Sequence, residues 1–173
     1  MNTKVMFSKA TDHWSTPKDV YEALDKEFNF DFDPCPLNGG IDGLSITWGK
    51  RNFVKPPYSD IARWVNKAAV EAYYGNLVVM LIPSRTDTRW WHQWVMAAHE
   101  IRFIKGRLKF GDAKNSAPFP SCIVIFKPNK QRLLECVEGI MPKLSKFRKA
   151  LRSAERARTP EYCKELLNET SFR

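Results

Sequence analysis

The chain has 173 residues, 43% of them hydrophobic and 13% aromatic, and it carries a formal net charge of +9 at pH 7. This length and composition predict one globular domain with a sizeable core. They argue against a membrane protein, because the longest apolar run, Leu77 to Pro83, is far shorter than the ~20 residues that cross a bilayer. The N-terminus also lacks the apolar stretch of a signal peptide.

The first predicted helix begins at Thr16-Pro17, with threonine as the N-cap and proline at the first helical position. After it, Phe28, Phe30 and Phe32 alternate with polar residues, which predicts a strand that ends at Asp33-Pro34. Residues 35–50 are rich in glycine and are predicted to form a loop.

Two strands and a helix come next. Asn52-Phe53-Val54 is a short apolar strand candidate, and residues 77–82 form the continuous apolar run expected of a central strand that is buried on both faces. Between them, Ser59 or Asp60 is expected to cap a helix that ends at Gly75.

Three further elements complete a predicted α/β domain over residues 1–128. A helix capped by Thr86 or Asp87 carries Trp90, Trp91 and Trp94. Segments 101–104 and 122–126 are then predicted to be two late strands.

Residues 129–173 are predicted to form a basic helical extension with helices at 130–141, 143–158 and 160–168. The middle segment has seven basic residues against one acid, and Leu144, Phe147 and Leu151 form an apolar seam along it. Such a basic face attracts the phosphates of a nucleic acid. The alternative is a solvated helix that docks on the domain or pairs with a second copy to make a homodimer.

The four cysteines are Cys35, Cys122, Cys136 and Cys163, and they are far apart in the sequence. They form no Cys-x-x-Cys pair, and no histidine stands at ligand spacing. The pattern predicts free buried thiols, no metal site and a cytoplasmic protein.

The tetrapeptide Lys55-Pro56-Pro57-Tyr58 follows the Asn52-Phe53-Val54 strand. Both prolines fix φ and neither has an N–H, so the turn is stiff. It holds the Pro56 carbonyl and the Tyr58 ring at the carboxyl end of a strand, where open α/β sheets bind ligands. A rigid ring beside a fixed acceptor suits an enzyme that stacks a flipped-out base and binds its edge. The alternative is a surface turn with a packing tyrosine.

Seven stretches in the same order along the chain resemble those of the phage-type DNA adenine-N6 methyltransferases. They lie within residues 14–128 and read Trp14-Ser-Thr-Pro17, Asp31-Phe-Asp33-Pro34, Asp42-Gly-Leu44, Pro56-Pro-Tyr-Ser59, Ile82-Pro-Ser-Arg-Thr-Asp-Thr-Arg-Trp90, Gly106-Arg-Leu-Lys-Phe110 and Ala117-Pro-Phe-Pro-Ser121. The resemblance implies a Rossmann-like, seven-stranded sheet with one late antiparallel strand, and S-adenosylmethionine as cofactor. This chain has no Gly-x-Gly-x-x-Gly loop, and a cofactor without a pyrophosphate needs none.

The resemblance also assigns cofactor contacts. Asp33 would lie near the methionine ammonium, and the Thr16-Pro17 turn would help to wall the same pocket. Asp42 would accept from the ribose hydroxyls or the adenine of the cofactor. Asp42 is equally suited to cap the Asp-Gly turn in which it stands.

For the reaction, the resemblance implies methyl transfer to N6 of a flipped-out adenine. The Pro56 carbonyl would accept one N–H of that amino group, and the preceding residue, usually Asn or Asp in the family, would accept the other. Here that residue is Lys55. A protonated lysine has no acceptor, and only a neutral lysine, with a strongly lowered pKa, could serve as acceptor or base.

Tyr58 would stack on the base, with Phe110 as a candidate for its opposite face or, alternatively, as a core residue. The expected partner is double-stranded DNA, in the cytoplasm of a bacterium that hosts a phage or prophage. The candidate phosphate contacts, each of which is otherwise a solvated charge, are Arg85, Arg107, Lys109, Lys146, Lys149, Arg152 and Arg156. Two other functions stay open: a catalytically silent DNA-binding protein on this scaffold, and an RNA or protein methyltransferase.

Overall fold

The computed structural model describes residues 14–111 and 113–128. The predicted tail helices, their basic residues and the thiols of Cys136 and Cys163 lie outside the described residues. The boundary predicted at residue 128 therefore stays a prediction.

Within these residues, four strands form one sheet: β1 (Arg51–Val54), β2 (Leu77–Pro83), β3 (Glu100–Phe103) and β4 (Ser121–Phe126). Their order across the sheet is β1-β2-β4-β3. β1 runs parallel to β2, whereas β4 is antiparallel to both of its neighbours, β2 and β3. Three strands thus share one direction and the last strand opposes them, in agreement with the late antiparallel strand that the resemblance implies. The Rossmann-like, seven-stranded sheet stays a prediction.

In the described part of the chain, three helices connect or flank the strands: α1 (Lys18–Phe28), α2 (Ile61–Tyr73) and α3 (Arg89–Gln93). Short 3₁₀ turns occupy Tyr58–Asp60 and Val95–Ala97. The predicted mixed α/β class is confirmed.

Of the predicted helix caps, only the N-cap position of Asp60 is confirmed. Pro17 takes the N-cap position of α1, where no side chain caps the helix. Asp60 stands at the N-cap of α2 as predicted, but its side chain makes no capping bond and instead accepts from Arg63 at 3.0 Å. Thr88, not Thr86 or Asp87, precedes α3, and its hydroxyl donates to the Arg85 carbonyl at 2.7 Å.

The strand predicted from the alternating phenylalanines is also wrong. Phe28 is the last residue of α1, and Asn29 ends the helix in the left-handed conformation, with φ of 51°. Only Phe32 forms an isolated parallel bridge, to Asn52 of β1. The Asp31 carboxylate accepts the Arg51 N–H at 2.9 Å, so a side chain replaces a ladder bond. The segment runs beside β1 without becoming a regular strand.

The sheet is covered on both faces. Alternate residues such as Val54, Met80 and Val124 pack with α2 and α3 in the larger core cluster. Their neighbours, such as Phe53 and Val79, face a smaller cluster on the side of α1. The central run is buried on both faces as predicted, and the loops at the ends of the strands remain to form a site.

Candidate active site

The predicted motifs converge on one edge of the sheet because of the strand directions. β1 and β2 end at this edge and lead into Lys55 and Ser84, and β3 ends beside the start of β4. Two backbone bonds fasten the loops there: Ser84 N–H donates to the Pro120 carbonyl at 2.9 Å, and Ile104 N–H donates to the Ser121 carbonyl at 3.1 Å. Asp33 reaches the same edge because Phe32 pairs in parallel with β1.

The Lys55-Pro56-Pro57-Tyr58 turn leads directly from β1 into a 3₁₀ turn. Pro56 is buried, while Lys55 and Tyr58 are half-buried. Pro57 has φ of −61° and ψ of 126°, and its carbonyl accepts the Asp60 N–H at 3.2 Å. The local backbone is thus fixed by the proline rings and by one turn bond, as the sequence predicts.

The Tyr58 ring contacts two other rings from the loops before β4. Its centroid is 5.4 Å from that of Phe119 and 6.4 Å from that of Phe110, with interplanar angles of 79° and 73°. Phe110 is buried in the smaller core cluster. The rings therefore meet edge to face, and Phe110 would have to turn before it could stack on the opposite face of a base. Its role as that second face stays a prediction.

Lys55 extends over this aromatic group. Its ammonium nitrogen lies 5.7 Å from the centroid of Tyr58 and 6.0 Å from that of Phe110. These distances are at the outer limit of a cation–π contact. Position 55, where the resemblance leads one to expect an amide or a carboxylate, thus carries a cation that the neighbouring rings attract.

Asp33 supplies a carboxylate next to Lys55. Its side chain is exposed at the surface, yet the protein atoms packed on its inner side withdraw water from it. This burial raises the pKa of Asp33, while the Cys35 N–H, which donates to Oδ1 at 2.8 Å, and the charge of Lys55 both lower it. The Asp33 carboxylate thus has one N–H donor and one cation as neighbours, and it suits a cationic ligand group.

The Thr16-Pro17 turn is joined to the loop that carries Phe110. Gly111 N–H donates to the Ser15 carbonyl at 2.9 Å, and a Cβ at Gly111 would come within 3.0 Å of the Ser15 hydroxyl. Gly111 also has φ of +49°, which favours glycine. Two of the predicted motifs therefore meet. Thr16 and Pro17 are both half-buried, and their contact with a cofactor stays a prediction.

Asp42 has a local structural role. Its Oδ1 accepts the Leu44 N–H at 3.2 Å, and its carbonyl accepts the Ser45 N–H at 2.9 Å. This is the turn-capping alternative that the sequence left open. A contact between the exposed Asp42 side chain and a cofactor stays a prediction.

The candidate phosphate contacts within the described residues lie on two loops at this edge. Arg107 and Lys109 are exposed on the loop after β3, and Arg85 is half-buried on the loop after β2. The contact of these three residues with DNA stays a prediction.

Sequence reasoning missed two aromatic residues near the site. Phe119 contacts Tyr58, although the motif in which it stands did not predict a role for its side chain. Tyr21 of α1 packs edge-on against Phe53 at 5.0 Å, and the charge of Asp33 helps to raise its pKa, after burial and Asp25. The position of Phe119 between two prolines, just before a buried strand, could have indicated its role. Tyr21 lies on an exposed face of α1, and nothing in the sequence indicates that it is near the site.

Three further observations concern metal ligands, the Cys122 thiol and membrane spans in the described part of the chain. Residues 14–111 and 113–128 contain no group of three or more metal-ligating side chains. Burial raises the pKa of the Cys122 thiol to about 11, against a smaller lowering by its hydrogen bond with Ser84, so this thiol is not an activated nucleophile. No helix in these residues has the length and apolar character to span a bilayer.

Comparison with known families gives one match over most of the chain. The profile of the family described as DNA N-6-adenine-methyltransferase (Dam) matches residues 3–150. The matched range runs past residue 128, so the likeness is not confined to the seven motifs.

Two similar proteins are both described as DNA N-6-adenine-methyltransferases. That of Haemophilus phage HP1 (strain HP1c1) is 28% identical over 137 residues, which cover 68% of this chain and 79% of the relative. That of Escherichia phage T1 is 29% identical over 110 residues, which cover 56% of this chain and 46% of the relative. The chain thus spans about half the length of the second relative.

Proposed function

Since the chain belongs to the DNA N-6-adenine-methyltransferase family, we propose that it transfers a methyl group from S-adenosylmethionine to N6 of adenine in DNA. One observation carries the proposal: Asp33, the Lys55–Tyr58 turn and the ring of Phe119 meet at one edge of the sheet. That edge is where open α/β sheets bind their ligands.

The residues at this edge fit the cofactor chemically. S-adenosylmethionine supplies a methyl group on a positively charged sulfur and carries an ammonium group. Asp33 offers a carboxylate to the ammonium, and the half-buried Thr16 and Pro17 stand on the loop that Gly111 fastens to the site. In this proposal these residues bind and orient the donor.

The target base is held by the turn. The Pro56 carbonyl accepts from the exocyclic amino group, and the Tyr58 ring stacks on the base after the nucleotide has left the duplex. The stiffness of the two prolines supports this role, because methyl transfer requires the nitrogen to stand about 3–3.5 Å from the methyl carbon in a fixed direction. Double-stranded DNA is therefore the proposed substrate.

Lys55 favours a second candidate function. Its ammonium cannot accept the second N–H of adenine, and it repels the positive charge that develops on N6. The nearby rings and Asp33 both attract that ammonium. In this second function the protein occupies DNA sites without methylating them, and the helix predicted at 143–158 supplies phosphate contacts or a dimer contact.

Methyl transfer decides between the two functions. Double-stranded DNA is incubated with labelled S-adenosylmethionine and digested, and the nucleosides are separated. The proposal predicts label in N6-methyldeoxyadenosine, and retention of that label in Tyr58→Phe but not in Tyr58→Ala, since phenylalanine keeps the stacking ring. DNA that is bound but remains unlabelled would support the silent protein, and label in cytosine would refute the assignment to adenine.

A further inference from the structure

Lys55 brings a positive charge into the place where a positively charged cofactor must bind. Its ammonium lies 5.7 Å from the Tyr58 centroid and 6.0 Å from the Phe110 centroid. Aromatic faces of this kind hold cations, including onium groups of ligands. The Lys55 ammonium thus already occupies an aromatic environment that suits a sulfonium.

The position of the sulfonium follows from the reaction. The methyl carbon must come within about 3–3.5 Å of the target nitrogen, and the sulfur is one bond further away. In the proposed function the target nitrogen is held by the carbonyl of Pro56, the residue directly after Lys55. Two positive charges so close to one turn repel each other, and the half-buried setting of Lys55 weakens the screening by solvent.

We propose that the Lys55 ammonium acts as an internal cation that opposes the sulfonium of S-adenosylmethionine and so weakens binding of the methyl donor. The inference rests on the proposed function and deepens it. The demethylated product, S-adenosylhomocysteine, has the same ammonium and adenosine groups but a neutral sulfur. Lys55 therefore lowers the affinity for the donor relative to that for the product. Product inhibition is then stronger in this protein than in a relative with Asn or Asp at this place.

The test is calorimetric titration of S-adenosylmethionine and, separately, S-adenosylhomocysteine into the wild-type protein and Lys55→Met. Methionine keeps the length of the side chain and removes the charge. Affinity for the donor is expected to rise about tenfold, which corresponds to ~1.4 kcal/mol, and affinity for the product less than about threefold. Lys55→Gln is expected to behave like Lys55→Met, and Lys55→Arg like the wild type, because arginine keeps the charge. Lys105→Met is the matched control, since Lys105 is an exposed lysine on the loop after β3.

The outcomes separate the two claims. If the charge-removing variants gain equally in affinity for both ligands, or gain for neither, the inference is wrong and the proposed function stands. If neither ligand gives heat or a thermal shift with any of the proteins at millimolar concentration, the proposed function fails and the inference fails with it. Thermal melting of each variant without ligand shows that it is folded, and Lys55→Gln replaces Lys55→Met if the latter does not fold.

Discussion

The buried ion pair on α2 gives a prediction whose size follows from the structure. Lys67 and Glu71 are one helical turn apart, with Nζ 2.6 Å from Oε1, and their side chains are only 1% and 3% exposed. Oε2 of Glu71 accepts from Asn76 at 2.8 Å, and the Lys67 ammonium lies 5.6 Å from the centroid of Trp48. Both charges are thus satisfied inside the core.

Lys67→Met removes the ammonium and leaves the Glu71 carboxylate buried with the amide of Asn76. Breaking a buried pair from one side costs about 3–5 kcal/mol, which is a large part of the ~5–15 kcal/mol that stabilises a domain. The double variant Lys67→Met/Glu71→Gln removes both charges and keeps an acceptor for Asn76. It is expected to recover more than half of the loss.

Urea unfolding followed by tryptophan fluorescence gives the free energy of unfolding by linear extrapolation. Lys105→Met, an exposed control, should stay within about 0.5 kcal/mol of the wild type. A loss below about 1 kcal/mol for Lys67→Met, or a double variant no more stable than the single one, would refute this reading of the pair.

Three further predictions concern charge. Burial raises the pKa of Asp33, so as the pH is lowered the affinity for S-adenosylmethionine should begin to fall at a higher pH than an ordinary aspartate would give. Calorimetry should show weak, pH-independent binding for Asp33→Asn. Equal binding by both proteins would contradict the contact. Arg102 hydrogen-bonds Glu27 at 2.6 and 2.7 Å and lowers its pKa, so this pair stabilises the fold above the pKa of unfolded glutamate and loses its effect as the pH falls through the folded value. Urea unfolding should find Glu27→Gln less stable than the wild type at pH 7, by about 0.2–1 kcal/mol for an exposed pair. This difference should shrink as the pH falls through the lowered pKa of Glu27, and a difference that does not change with pH would contradict the assignment. Glutamine at four basic tail positions should flatten the slope of log affinity for DNA against log salt by roughly two to four units and leave cofactor binding intact; these positions are Lys146, Lys149, Arg152 and Arg156. An unchanged slope, together with a molecular mass that Phe147→Ala alters, would indicate a dimer instead.

The elements that the sequence predicted best are those whose pattern has one physical reading. The run at 77–82 has no polar residue, and it is the central strand β2 with neighbours on both edges. The prolines of the Lys55–Tyr58 turn fix φ locally, so their geometry hardly depends on the rest of the fold.

The failures arise where distant parts of the chain decide. Of the alternating phenylalanines, Phe30 packs against Phe53, while Phe32 forms a single parallel bridge to β1. A regular strand does not form, because Asn29 turns the chain with a positive φ and the Asp31 carboxylate accepts the Arg51 N–H. Charged residues normally face solvent, so nothing in the sequence indicated that Lys67 and Glu71 are buried. For the site, the motifs predicted its place at the carboxyl ends of the strands. The approach of Lys55 to Tyr58 and Phe110 could not be predicted in this way, because it depends on how distant segments pack.

The central claim is that the Pro56 carbonyl holds N6 of adenine and that residue 55 faces the same amino group, and Lys55→Asn tests it most directly. Asparagine restores a carbonyl acceptor without changing the two prolines. Removal of a preorganised hydrogen-bonding group in an active site costs about 10²–10³ in rate, so formation of N6-methyldeoxyadenosine from labelled S-adenosylmethionine should rise by a factor of that order. Equal rates in the two proteins would show that residue 55 does not face the base, and a slower variant, with a wild-type rate that climbs with pH, would show that Lys55 works as a neutral base.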